Sequence, residues 1–100
     1  MDNIIKIVEG DYGVEYRLNI INGTPSPEDS FLFTIKNLKG KTLVSKGYTN
    51  VTTHIPLMLT KQESDLLDAN TYLYSIDWYK NGVFQSSVIN GDMFIVEKKV

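Results

Sequence analysis

The chain of 100 residues contains no cysteine. This absence excludes disulfide bonds, thiolate metal sites and cysteine nucleophiles. A chain of this length buries roughly two-thirds of its unfolded surface, so it folds without such cross-links. The composition therefore favours an intracellular origin, and the length predicts a single domain over residues 1–100.

The sequence also lacks a charge excess and a long hydrophobic run. Its ten basic and twelve acidic residues give a net charge of −2. Because they are scattered singly, they form no basic stripe for nucleic acid. The N-terminus has Asp2 where a signal peptide has cations, and its apolar run ends at Lys6, too early for a signal core or a membrane span. We expect a soluble protein without a signal peptide, and neither nucleic acid nor a membrane as its partner.

Few residues are suited to catalysis or metal binding. His54 is the only histidine, and no serine or acid lies at the spacing of a triad or a metal pair. Glu63, Asp65 and Asp68 place three carboxylates close together, but the segment lacks the glycine and regular oxygen ligands of a calcium loop. We interpret them as a solvated helix face. We expect no catalytic residue, no metal, no cofactor and no small-molecule ligand.

The last third of the chain has the clearest pattern. Aromatic and apolar residues occupy every second position, namely Tyr72, Tyr74, Ile76 and Trp78. This period places one face of a strand on a core, so Trp78→Ala is expected to cost about 3–5 kcal/mol. Asn81-Gly82 then supplies the positive φ angles of a type I′ hairpin. The pattern predicts antiparallel β-structure.

The same alternation recurs along the chain. It predicts strands over residues 4–8, 14–20, 31–35, 42–46, 51–59, 72–79, 83–89 and 93–97. Pro56 lacks an N–H group, so its strand is predicted to lie at a sheet edge or to carry a bulge. Thr60 and Glu63 have the spacing of a capping box, which predicts a short helical turn near 61–68 with Leu66 and Leu67 against the core. Seven or eight strands predict an all-β, immunoglobulin-like antiparallel β-sandwich.

Turn-forming residues separate these strands. Residues 22–30 include two prolines and are predicted to form a surface loop. Asn22 and Asn50 each open a glycosylation sequon, which we interpret as turns because the pattern is common by chance. A further turn is predicted at 90–92. The facing of the last strand stays open between two pairs of residues, Met93 with Ile95 or Phe94 with Val96.

Two aromatic residues are predicted to face away from the core. Tyr79 is out of phase with the Tyr72 set, and Phe84 lies just across the predicted hairpin. We predict that Tyr79 and Phe84 form an exposed contact surface for a partner protein. In the alternative, a carbohydrate-binding sandwich, two or more coplanar rings would lie exposed on one sheet face.

Asp68-Ala69-Asn70-Thr71-Tyr72 matches the tyrosine-corner pattern of immunoglobulin-like domains. Asn70 lies where that pattern usually has glycine. Asparagine tolerates the left-handed backbone conformation that the position is expected to need.

Several motifs occur in the order and rough spacing of one family. They are Gly10-Asp11, Phe33-Thr34-Ile35-Lys36, residues 67–76, Asn81-Gly82 and residues 89–95. From Val8 onwards, the chain resembles the N-terminal domain of phage upper baseplate proteins, a small immunoglobulin-like β-sandwich. It departs from the family pattern at Asn70, Ser75 and Met93, where the family has glycine, aspartate and phenylalanine.

The resemblance implies a non-enzymatic structural role in a phage or prophage virion, as a baseplate, tail or head accessory protein. The partners that it implies are other virion proteins or further copies of the chain, assembled after synthesis in the bacterial cytoplasm. The alternative function is a carbohydrate-binding module for adhesion to the host surface.

Overall fold

The computed structural model describes residues 4–19, 26–51 and 54–99. The elements in chain order are β1 (Ile5–Val8), β2 (Glu15–Asn19), β3 (Asp29–Lys36), β4 (Thr42–Thr49), β5 (His54–Met58), α1 (Lys61–Asp65), β6 (Asn70–Lys80) and β7 (Val83–Glu97). The strand order in the larger sheet is β1-β7-β6-β3-β4, and β2 pairs with β5 in a second sheet. The predicted all-β fold is confirmed.

The larger sheet is mixed. Strand β1 runs parallel to β7, with Ile5 opposite Phe94 and Val8 opposite Glu97. The prediction of purely antiparallel pairing is therefore wrong at this edge. Ile5 and Ile7 are both buried, and the parallel arrangement places them beside the buried side of β7. Their burial removes apolar surface from water and so stabilises this edge of the sheet.

One cluster of buried apolar side chains includes residues of both sheets. Phe33, Tyr74 and Phe94 of the larger sheet have ring centroids between 5.8 and 6.5 Å apart. Ile55 and Leu57 of β5 are buried in the same cluster. Each fully buried side chain of this size contributes about 1.5–3 kcal/mol through its removal from water.

The predicted core face of β6 is confirmed in part. Tyr72, Tyr74 and Ile76 are buried, whereas Trp78 is only partly buried against the cluster. The residue opposite Trp78 in β7 is the exposed Ser86. A serine offers little apolar surface to cover the half-buried indole. We therefore expect a smaller loss for Trp78→Ala than the sequence pattern predicts.

Strand β7 is continuous where the sequence predicts two strands and a turn. Residues 70–80 of β6 pair with residues 83–96 of β7, so β7 has three extra residues, one at each of three register shifts. Gly91 lies near one shift with φ 72°, and its N–H donates to Ser75 Oγ at 3.0 Å. A left-handed glycine forms a β-bulge as readily as a turn. The chain consequently has seven described strands, within the predicted range.

The capping box forms as predicted. Thr60 Oγ1 accepts a hydrogen bond from the Glu63 N–H at 3.1 Å, and Glu63 Oε1 accepts one from the Thr60 N–H at 2.8 Å. The helix that follows is limited to Lys61–Asp65. Leu67 is buried after it, while Leu66 is 56% exposed. Only one of the two leucines packs on the core.

Strand edges and turns agree with several local predictions. β5 pairs only with β2 among the described residues, so Pro56 lies on an edge strand as predicted. Strand β4 (Thr42–Thr49) differs from the prediction, since it extends three residues beyond the predicted strand over 42–46, and the turn comes at Asn50, which has φ 53°. The sequon at Asn22 lies outside the described residues, as does the threonine of the sequon at Asn50.

The tyrosine corner forms, with one difference. Tyr72 Oη donates to the carbonyl oxygen of Asp68 at 2.9 Å. Asn70 is not left-handed, since the described non-glycine residues with positive φ are Asn50 and Asn81. Instead it begins β6, and its side-chain oxygen accepts a hydrogen bond from the Thr71 N–H at 2.8 Å. The expected conformation of Asn70 is wrong, but the predicted corner is present.

Tyr72→Phe is expected to lower the free energy of unfolding by about 1 kcal/mol, the net contribution typical of one intramolecular hydrogen bond. Urea denaturation measures this loss. The matched control is Tyr12→Phe, which removes a hydroxyl from a side chain that is 53% exposed. Equal losses in the two variants would show that the corner contributes nothing specific.

Candidate protein-docking surface

Tyr79 and Phe84 lie directly opposite each other on β6 and β7. Their ring centroids are 5.7 Å apart, and the ring planes meet at 74°, an edge-to-face contact. Phe84 is 53% exposed and Tyr79 is half-buried. The structure thus brings the two predicted contact residues together, and we call this pair the aromatic patch.

The hairpin that carries the aromatic patch has a defined turn. Asn81 has φ 50° and Gly82 has φ 78°, as a type I′ turn requires. The Asn81 N–H donates to the carbonyl oxygen of Glu28 at 3.0 Å, and Lys80 Nζ lies 3.7 Å from Glu28 Oε1. These contacts fix the tip of the hairpin to the segment before β3. The two rings are therefore presented with little conformational freedom to lose on binding.

Asp29 stabilises the segment before β3 through hydrogen bonds from Ser26. Its side chain is buried and accepts hydrogen bonds from the Ser26 N–H at 2.8 Å and from Ser26 Oγ at 3.3 Å. The Ser26 backbone hydrogen bond is the main reason that the pKa of Asp29 is lowered. The nearby Trp78 indole also lowers this pKa, although its N–H does not meet hydrogen-bond geometry. The ionised carboxylate thus orders the chain next to the hairpin.

The surroundings of the aromatic patch follow from the strand register. One row across the sheet consists of Phe84, Tyr79, Ser30 and Thr49. The next row consists of Ser87, Asp77, Leu32 and Gly47. Ser87 Oγ donates to Asp77 Oδ1 at 2.7 Å. Ser30, Thr49 and Ser87 thus place polar groups in these two rows around the aromatic patch, and an apolar centre with polar neighbours is typical of a protein interface.

The same face of the sheet carries a second apolar area, formed by Met93 and Ile95. The sequence alone left open whether this pair or Phe94 with Val96 faces the core. Phe94 and Val96 are buried, so Met93 and Ile95 face outward. Met93 is 41% exposed and lies opposite Leu73. Strict alternation alone cannot distinguish the two facings, because both pairs of residues are apolar. The register decides the facing, because it places Phe94 opposite the buried Tyr72.

The candidates for catalysis or metal binding lie in β5 and in or just after α1. His54 is half-buried in β5 opposite Asn19. Glu63 forms an ion pair with Lys46, and Asp65 forms one with Lys61. In the parts of the chain that the structure describes, no group of three or more histidine, cysteine, aspartate or glutamate residues could hold a metal ion.

Within residues 4–19, 26–51 and 54–99, no helix is long and apolar enough to cross a membrane. The resemblance to the phage upper baseplate domain stays a prediction, because no protein-family model matches the chain, and no curated protein or solved structure does.

Proposed function

We propose that this chain is a non-enzymatic docking module that binds another protein through the aromatic patch. The observation that carries the proposal is the edge-to-face pair of the half-buried Tyr79 and the exposed Phe84 on the Asn81-Gly82 hairpin. Aromatic side chains are enriched at the centres of protein interfaces because they bury a large area with few rotatable bonds. A rigid pair lowers the entropic cost of binding further.

The geometry favours docking over carbohydrate binding. A sugar ring stacks with its flat face against an aromatic face, so a sugar-binding platform needs coplanar rings. The planes of Tyr79 and Phe84 meet at 74°. A flat sugar ring therefore stacks on only one of the two rings at a time. An irregular protein surface contacts the face of one ring and the edge of the other.

The proposal extends to the architecture and the partner. We propose that the two sheets form an immunoglobulin-like sandwich, supported by their common core and by the tyrosine corner between Asp68 and Tyr72. The proposed partner is another protein of a phage or prophage virion, at a baseplate, tail or head position. The motif resemblance from Val8 onwards supports this choice.

The double variant Tyr79→Ser/Phe84→Ser tests the docking role. It should unfold cooperatively, because Phe84 is exposed and Tyr79 only half-buried, yet bind at least about thirtyfold more weakly, the loss typical of an interface hot spot. Cosedimentation with purified virions measures binding. The control Leu38→Ser removes an apolar side chain that is 64% exposed elsewhere on the surface.

Wild type and the Leu38→Ser control are expected to cosediment with the particles, and the double variant is not. Cosedimentation of the double variant would show that the aromatic patch is not the docking surface. Absence of wild-type binding to virions would refute the virion role. A glycan array completes the test, since a glycan signal that disappears in the double variant would favour the carbohydrate-binding alternative.

A further inference from the structure

We infer that strand β4 is a self-pairing edge, and that its partner is β4 of a second copy of this chain, antiparallel about a twofold axis. The inference depends on the edges of the sheets and not on the aromatic patch. An edge strand exposes unpaired backbone N–H and C=O groups that accept another strand. Natural proteins protect such edges by short length, charge, proline or bulges.

The other edges have such protection. Strand β1 is only four residues long, and β5 contains Pro56. Strand β2 has exposed Glu15 and Arg17 side chains. The part of β7 that β1 does not cover, residues 83–93, contains the register shifts described above. Each feature interrupts the ladder or opposes an added strand.

Strand β4 has much less protection. It is eight residues long and, within the described part of the chain, pairs only with β3. Its one irregularity lies at the start, opposite Ile35 and Lys36. From Ser45 onwards, the side chains on the face away from the core are Ser45, Gly47 and Thr49, all exposed, small and uncharged.

The one charge in this part of β4 is directed elsewhere. Lys46 Nζ donates to the Met58 carbonyl oxygen at 2.7 Å and forms an ion pair with Glu63 at 2.7 Å. Its side chain is only 19% exposed. Lysine on an edge strand normally repels an added strand, but here the ammonium group is compensated on the core side of the sheet.

A second copy fits this edge better than a foreign peptide. Antiparallel pairing about a twofold axis places the row of small residues opposite itself, with no like charges facing each other. Edges that select a foreign strand have pockets for alternate side chains. Ser45, Gly47 and Thr49 are too small to form such pockets.

The contact is small, so weak association is expected. A single pair of short edge strands buries less than the roughly 1,200 Å² of a standard interface, so the dissociation constant is expected to be on the order of 10–100 μM. The dimer has one continuous sheet, with both aromatic patches on the same face. Tyr79 lies two strands from the edge, about 10 Å. This last step rests on the proposed docking function: two patches so placed bind a repetitive assembly with increased avidity.

Gly47→Lys, compared with Gly47→Gln, tests the inference. Gly47 lacks a left-handed φ, and an added Cβ meets no atom within 4 Å, so the monomer tolerates either side chain. Analytical ultracentrifugation over about 1 μM to 1 mM measures self-association. Wild type and Gly47→Gln are expected to dimerise, whereas Gly47→Lys raises the dissociation constant at least about tenfold through like-charge repulsion. High salt should reduce this difference.

Three results would overturn the inference. They are a wild type that stays monomeric at every concentration, equal dimerisation of the lysine and glutamine variants, and loss of the dimer in Tyr79→Ser/Phe84→Ser. The last result would assign the contact to the aromatic patch instead. Hydrogen exchange of the wild type is the second measurement, needed if Gly47→Lys fails to fold: β4 amides must gain protection as the dimer forms, and unchanged protection refutes the pairing.

Discussion

Phe33→Ala is expected to lower the free energy of unfolding by about 3–5 kcal/mol, the loss typical of truncating a fully buried aromatic side chain. Phe33 is 0% exposed. It lies on β3, between β6 and β4, and its ring centroid is 5.8 Å from Tyr74 and 6.5 Å from Phe94. Truncation leaves a cavity that these aromatic neighbours cannot fill without leaving their rotamers.

Trp78→Ala is the variant to compare with Phe33→Ala. The alternation in the sequence predicts that Trp78 is buried like Tyr74 and Ile76 of β6. The structure leaves its indole partly exposed. Its loss is therefore expected to be about 1–3 kcal/mol, in proportion to the apolar area that it buries. Chemical denaturation of both variants measures the two losses. A larger loss for Trp78→Ala than for Phe33→Ala would contradict the burial described here.

Local signals in the sequence predicted local structure well. The Asn81-Gly82 turn, the capping box of Thr60 and Glu63, and the corner at Tyr72 each depend on residues that are only a few positions apart. The chemistry of such motifs determines the backbone without help from the rest of the chain. The facing of Tyr79 and Phe84 followed from the same kind of information, namely alternation on either side of a known turn.

Non-local features were not predictable in this way. The parallel pairing of β1 with β7 joins segments about ninety positions apart, with no turn to fix its direction. Gly91 gives the same signal for a turn and for a bulge, because both use a left-handed glycine. The residue opposite the half-buried Trp78 is Ser86, which two of the register shifts of β7 bring there. The unprotected edge of β4 depends equally on strand order.

An ion pair joins three elements around the short helix. Lys46 of β4 donates to Glu63 Oε1 of α1 at 2.7 Å and to the Met58 carbonyl oxygen of β5 at 2.7 Å. The Lys46 and Glu63 side chains are 19% and 22% exposed. Exposed ion pairs contribute little to stability, but removing one partner of a mostly buried pair leaves an uncompensated charge in a poorly hydrated site.

Lys46→Met is expected to lower the free energy of unfolding by about 1–3 kcal/mol, less than for a fully buried pair because water reaches both side chains. Lys46→Met/Glu63→Gln should recover part of that loss, since it removes the uncompensated carboxylate while the amide can still accept from the Thr60 N–H. Urea denaturation of Lys46→Met, Glu63→Gln and the double variant gives the coupling energy between the two side chains. A coupling energy near zero would show that the two side chains do not stabilise each other.

The same pair gives an acid dependence of known sign. Burial alone would raise the pKa of Glu63, but hydrogen bonds from Lys46 and Thr60 outweigh it and lower the pKa below its ordinary value of 4.5. A lowered pKa means that the stabilisation is present above the unfolded-state value and is lost as the pH falls through the folded-state value. Asp29, whose pKa is also lowered, contributes in the same direction in every variant. The difference between wild type and Lys46→Met should therefore shrink as the pH falls below about 4.5, because protonation of Glu63 removes the charge that Lys46 compensates. A difference that stays constant from neutral pH to about pH 3 would show that Lys46 stabilises the fold through packing alone.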